Sequence, residues 1–183
     1  MKMETEITVL VNTNYNELHD ILLEKGFNIK EEYEINDTYM IDSSINLDNL
    51  SSLDVLKKCI LVRDITNIKK ALVYKYKEYD LNGDILKQGK VECPVDDISK
   101  AIDFMKSINY KELFTIYDKN IIYSNRDIEL DVQLVNNKYI FIELESRNNE
   151  DISKLKEIIN SLDLPIDKSN YFVKKAQIVF EEK

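Results

Sequence analysis

The chain has little of what the commonest thiol, metal and nucleophile chemistries are built from: its 183 residues include two cysteines, one histidine and three glycines. Cys59 and Cys93 stand alone on strand-like segments without C-x-x-C spacing, so they read as small, reduced interior residues rather than a redox pair or a zinc site. His19 lies in NELHDILLEKG on the polar side of a helical pattern, where an exposed histidine is expected and no catalytic triad can form around it. There is no glycine-rich phosphate loop and no H-E-x-x-H run, which removes the P-loop and zinc-protease readings. No apolar run has the length of a membrane span, and MKMETEITVLVN carries acids where a signal peptide needs a basic and then an apolar stretch. The expectation is a cytoplasmic protein without a membrane partner.

Charge narrows the partners further. Thirty-four acidic residues against 25 basic ones leave a formal charge of −9, a field that repels nucleic acid and anionic lipid. A polyanionic ligand therefore needs a local basic pocket. The length and the ordinary mixture of charged and apolar residues fit one soluble globular domain, residues 1–183, with no low-complexity linker.

What is abundant is alternation. In TEITVLV, Ile7, Val9 and Val11 face one way and Glu4, Glu6 and Thr8 the other. In CILVRDI, Ile60 and Val62 oppose Leu61 and Arg63; in DIELDVQLV, Ile128, Leu130 and Val132 oppose Glu129, Asp131 and Gln133. Period-two alternation predicts half-buried strands, and further ones are expected at 28–41, 69–79, 84–95, 111–123 and 138–146. Helical periodicity predicts helices over Tyr15–Lys25, with Asn14 as N-cap and Gly26 as the stop; after Pro94 and Val95, with Asp96 as N-cap; over Asp151–Leu162; and a short one after Ser169. Eight strands and three or four amphipathic helices predict an α+β fold. A closed barrel with a polar interior and an open sheet with one solvated face explain the same alternation.

Several segments, in order, resemble the CYTH, or triphosphate tunnel, superfamily, which includes class IV adenylyl cyclases, thiamine triphosphatases and tripolyphosphatases. Glu4-Thr5-Glu6-Ile7-Thr8 is similar to the E-x-E-x-K opening, Asp37-Thr38-Tyr39-Met40-Ile41-Asp42 to the second strand, and Ile60-Leu61-Val62-Arg63 to the L-R-I-R strand. Val73-Tyr74-Lys75 falls at the T-x-K position, and Glu92 at the acid that closes the next strand. Leu130-Asp131 matches the late strand ending in aspartate, Tyr139–Glu145 the final F-x-E-I-E strand, and Lys168-Ser169-Asn170-Tyr171 the K-S-Y near the family's C-terminus. The resemblance covers nearly the whole chain. It implies an antiparallel eight-stranded β-barrel with helices packed outside.

The resemblance further implies a site in which acids bind Mg²⁺ or Mn²⁺ through hard oxygen ligands while bases neutralise a triphosphate. The implied metal ligands are Glu4, Glu6, Asp131 and Glu143, with Glu92 and Glu145 as further candidates; the implied phosphate ligands are Arg63, Lys75 and Lys77. The pattern also departs from the family. Thr8 stands at the opening lysine and Leu61 at the first arginine of L-R-I-R. Asp118 and Asn120 occupy the K-x-R positions with Lys119 pointing the other way, and Phe141 replaces the first acid of the last strand. Lys87 and Lys90 are the bases available to compensate. Two functions follow: a metal-dependent phosphohydrolase or cyclase acting on tripolyphosphate, thiamine triphosphate or a nucleoside triphosphate, weakened by the lost bases; or a non-catalytic module of the same fold that binds a phosphorylated ligand or a protein.

Overall fold

Alternating strands bury one face, and the structure, a computed structural model, shows which. It describes residues 2–3, 5–79, 85–146 and 151–183. The strands are β1 (Lys2–Met3), β2 (Glu6–Leu10), β3 (Asn28–Asp42), β4 (Ile60–Ile65), β5 (Lys69–Tyr79), β6 (Ile85–Pro94), β7 (Tyr110–Ser124), β8 (Glu129–Val135) and β9 (Tyr139–Glu145). The helices are α1 (Tyr15–Glu24), α2 (Ser52–Leu56), α3 (Ile98–Ser107), α4 (Ile152–Ser161) and α5 (Lys175–Glu181). Hydrogen-bonded neighbours follow the order β1-β6-β5-β4-β3-β7-β8-β9-β2. The β1·β6, β2·β9, β3·β4, β4·β5, β5·β6, β7·β8 and β8·β9 ladders are antiparallel. The class is thus α+β, with eight strands of five or more residues and the two-residue β1. No ladder joins β1 to β2 among the described residues, so the strand order is open rather than closed. Its two ends are separated in sequence by Glu4 and Thr5 alone.

The chain forms two compact units. The first comprises residues 1–3, 34–117 and 174–183, and the second residues 4–33 and 118–173, so β3 and β7 each contribute to both. In the first unit, Met40 and Val62 pack against Ala101 and Met105 of α3, with Ile60, Leu72 and Ile102 around them. In the second, Ile7 and Val9 of β2 are buried, as are Val132, Ile142, Leu18 and Leu22 of α1, and Leu155 and Ile159 of α4. Each fully buried Val, Leu, Ile or Met side chain among these contributes about 1.5–3 kcal/mol by leaving water.

Local signals set the boundaries. Asn14 caps α1 by accepting from the Glu17 amide at 3.0 Å, and Gly26, at φ +80°, turns the chain out of it, a left-handed position that a Cβ disfavours. Asn14→Ala is expected to lower stability by about 1 kcal/mol, read as a drop in the urea midpoint at unchanged slope. The cap of α3 is Asp97, one residue beyond the expected Asp96. The helix expected after Ser169 begins at Lys175, and α2 was not anticipated because five residues show no periodicity.

The stretch between α4 and α5 does something else. Thr8 N–H donates to the Tyr171 carbonyl and the Thr8 carbonyl accepts from Val173 N–H, at 2.9 and 3.0 Å. Asp167 N–H donates to the Leu10 carbonyl and Asn12 N–H to that of Pro165, at 2.8 and 2.7 Å. Residues 165–173 therefore lie along the edge of β2 that β9 leaves unpaired, and the segment resembling K-S-Y is a strap on that edge. The Tyr171 hydroxyl donates to Asn160 Oδ1 at 2.9 Å and anchors the strap to α4.

Candidate functional site

Each unit carries one sheet face on which the expected residues gather. In the first unit the register aligns Asp37 with Arg63 and Arg63 with Ala71; two residues along, it aligns Tyr39, Leu61, Val73 and Glu92. Further along the same face of β5 and β6, Lys75 stands opposite Lys90, both half-buried. Arg63, Lys75 and Lys90 therefore share a face, as a phosphate site requires. The backbone of Lys77 pairs with Gln88, while the side chains of Lys77 and Lys87 lie outside what is described.

Arg63 is not presented to solvent. Its Nε donates to Asp37 Oδ1 at 2.7 Å and an η nitrogen to Asp37 Oδ2 at 2.5 Å. The side chains retain only 11% and 7% exposure. Burial alone would raise the Asp37 pKa, but the hydrogen bond and charge of Arg63, with the fields of Lys75 and Lys175, hold it below the usual carboxylate value. Tyr39 stacks on Phe114 at 4.4 Å between centroids, and Phe114 meets Phe180 of α5 at 5.4 Å. An aromatic column thus ties α5 to the face that carries the pair. Leu61, where the family pattern has an arginine, is 2% exposed between Tyr39 and Val73. Glu92 is bound to Lys69 at 2.6 Å, and that hydrogen bond is the first cause of its lowered pKa.

In the second unit a tight hairpin sets the site. Asn136 and Asn137 both have positive φ, 51° and 55°, within a three-residue turn, 136–138, closed by the Lys138 N–H donating to the Val135 carbonyl at 3.0 Å. The turn pairs Val135 with Tyr139, hence Gln133 with Phe141 and Asp131 with Glu143. On β2, Thr8 falls opposite Glu143 and Glu6 opposite Glu145, and on β7 Asn120 falls opposite Gln133 and Ile122 opposite Asp131. Glu6, Asp131 and Glu143 are therefore brought to one face, as expected, while Glu4 lies outside the described residues. Lys119 points the other way, as expected, and binds Glu32 at 2.9 Å.

Three residues of this face were not anticipated as site residues. Gln133, 3% exposed, donates from Nε2 to Asp131 Oδ2 at 2.9 Å and to Glu143 Oε2 at 3.3 Å, tying the two acids together. Asn120, 1% exposed, donates to the Asp118 carbonyl, which leaves its own Oδ1 buried without a hydrogen-bond partner. The Tyr33 phenol is pushed above its ordinary value by burial and then by Asp131, Glu143 and Asp118, so the acids share one electrostatic neighbourhood. Alternation places Gln133 on the polar face beside Glu129 and Asp131; its contact with Glu143, and the nearness of Tyr33 to the acids, depend on a register that no short motif encodes.

Carboxylates suit a hard divalent ion, but Gln133 presents N–H donors to both Asp131 and Glu143. Among the described residues no group of three or more His, Cys, Asp or Glu side chains is placed to hold a metal. An ion there must displace the amide. The remaining expectations about isolated residues resolve simply. Cys59 is buried, its thiol pushed up to about 12 by desolvation, whereas Cys93 is exposed rather than interior; both are free. His19 is not a solvent-facing helix residue: its Nδ1 lies 2.7 Å from the buried Tyr123 hydroxyl, which also meets the Tyr15 hydroxyl at 3.0 Å. Among the described residues no helix is long and apolar enough to cross a membrane.

Solved structures of the same architecture span nearly the whole chain. The PH1819 protein of Pyrococcus horikoshii matches with a TM-score of 0.65 at 16% identity, over 98% of this chain and 99% of that one. The HpAC1 protein of Hippeastrum, described as having a dominant triphosphatase activity, matches with a TM-score of 0.64 at 14% identity, over 98% and 96%. An adenylate cyclase candidate from Vibrio parahaemolyticus matches at 0.63 and 10%, over 97% and 98%. No family model and no curated protein matches the chain by sequence.

Proposed function

We propose that the chain binds a triphosphate and hydrolyses or cyclises it slowly with the help of Mg²⁺ or Mn²⁺. The observation that carries this reading is the common face of Arg63, Lys75 and Lys90 in the first unit, within a fold shared with a triphosphatase. Bases on one face neutralise phosphate charge, and charge-assisted contacts of this kind are worth about 1.5–3 kcal/mol each. Asp131 and Glu143 would hold the ion once it displaced the Gln133 amide. When bound, such an ion polarises a phosphoryl oxygen and offsets developing charge. Thr8, Asp118 and Asn120 add no positive charge at positions where the family pattern has bases, which supports slow turnover.

A second reading, a binding module without catalysis, is favoured by the two contacts that occupy the expected ligands, Asp37 on Arg63 and Gln133 on Asp131 and Glu143. Phosphate release from tripolyphosphate, thiamine triphosphate and ATP, each with Mg²⁺ or Mn²⁺, separates the readings. Slow release that falls at least about tenfold in both Lys75→Ala and Glu143→Gln supports the enzyme. Tight binding without release supports the module, and neither binding nor release removes both.

A further inference from the structure

We infer that Asp37 is an internal competitor for anions: its carboxylate occupies the Arg63 fork that an incoming phosphate would use, and so sets how strongly this face accepts one. The inference rests on the phosphate-binding reading of that face. A guanidinium grips a phosphate through two parallel N–H donors, the same geometry in which it grips a carboxylate. Nε and one η nitrogen of Arg63 are already committed in this way to the two oxygens of Asp37.

The competitor is fixed rather than incidental. Asp37 and Arg63 are direct cross-strand partners on β3 and β4, so the register holds them together without a loop that could swing away. Their neighbours on the face are Ile35, Tyr39, Leu61, Ala71 and Val73, all buried, and no other base lies beside Arg63 on its own strand. An anion approaching Arg63 must therefore displace a carboxylate or settle for the remaining N–H donors of a guanidinium whose charge is already paired. Lys75 and Lys90 lie four and more residues along the strands from that pair.

The test is Asp37→Asn, which keeps the size and one acceptor but removes the charge. Titration calorimetry with tripolyphosphate, without metal, is expected to show affinity raised about tenfold or more over the wild type, and Asp37→Glu should show no gain. If Asp37→Asn is unfolded alone, tripolyphosphate should restore its circular dichroism, since the anion then supplies the missing partner. Equal affinity in folded wild type and Asp37→Asn, or an unfolded variant that tripolyphosphate leaves unfolded, overturns the inference. Phosphate release by the wild type is scored separately, so slow or absent hydrolysis refutes the enzyme reading without touching this one.

Discussion

Arg63→Leu is expected to cost the protein about 3–5 kcal/mol of stability, because it leaves the Asp37 carboxylate buried without its counter-ion. The double variant Asp37→Leu, Arg63→Leu should recover most of that loss, since apolar replacement of a buried pair is often neutral or better. The pH profiles should differ in sign. In the wild type the Asp37 pKa is depressed, with the pull of Arg63 overcoming burial. Its contribution is therefore present above the unfolded value of about 3.9 and lost as pH falls through the folded pKa. In Arg63→Leu only burial remains beside Asp37 to any large degree, which raises its pKa; the penalty is then full above the folded pKa and relieved by acid. Urea unfolding of the three proteins at pH 7 and below decides this. An Arg63→Leu variant as stable as the wild type at pH 7 would show that the pair contributes nothing.

Gln133→Glu should have an effect of similar size. It places a third carboxylate between Asp131 and Glu143, at a position with 3% exposure, and converts two donated hydrogen bonds into like-charge contacts. A loss of about 3–5 kcal/mol at neutral pH is expected. The introduced acid, desolvated and beside two others, takes a raised folded pKa. Its penalty is complete above that value and disappears below the unfolded one of about 4.3. Mn²⁺ should restore the thermal midpoint in this variant more than in the wild type, because the substitution replaces the obstructing amide with a ligand. A variant destabilised at pH 7 but indifferent to millimolar Mn²⁺ would remove the metal reading of this face.

The strands were legible because each alternates over many residues: β3, β7 and β9 fall within one residue of their expected ends, and Ile7 and Val9 lie on the buried face as their parity requires. The α1 cap and stop were legible because Asn14 and Gly26 act on their immediate neighbours. The site was legible only as faces. That Arg63 is on the polar side of β4 follows from alternation, but that Asp37 holds it depends on a pairing between residues 26 apart. Gln133 was visible beside Asp131 and Glu129 on its strand, but its second bond, to Glu143, depends on the hairpin register. His19 looked solvent-facing because its helix neighbours are polar; the partner that draws it in, Tyr123, is 104 residues away.

The strap along β2 bears on how the chain is made. β2 occupies residues 6–10, yet its ladder partner β9 ends at residue 145 and the residues on its other edge run to 173. At about 5–20 residues per second of synthesis, a ribosome needs roughly 7–30 s between completing β2 and completing β9, and several seconds more for the strap. During that interval an apolar strand with Ile7 and Val9 emerges with both edges unsatisfied, the condition under which strands pair with the wrong chain. Products that stop short of residue 165 would have β9 in place and the other edge of β2 bare, so aggregation should be far greater among such truncations than among full-length chains.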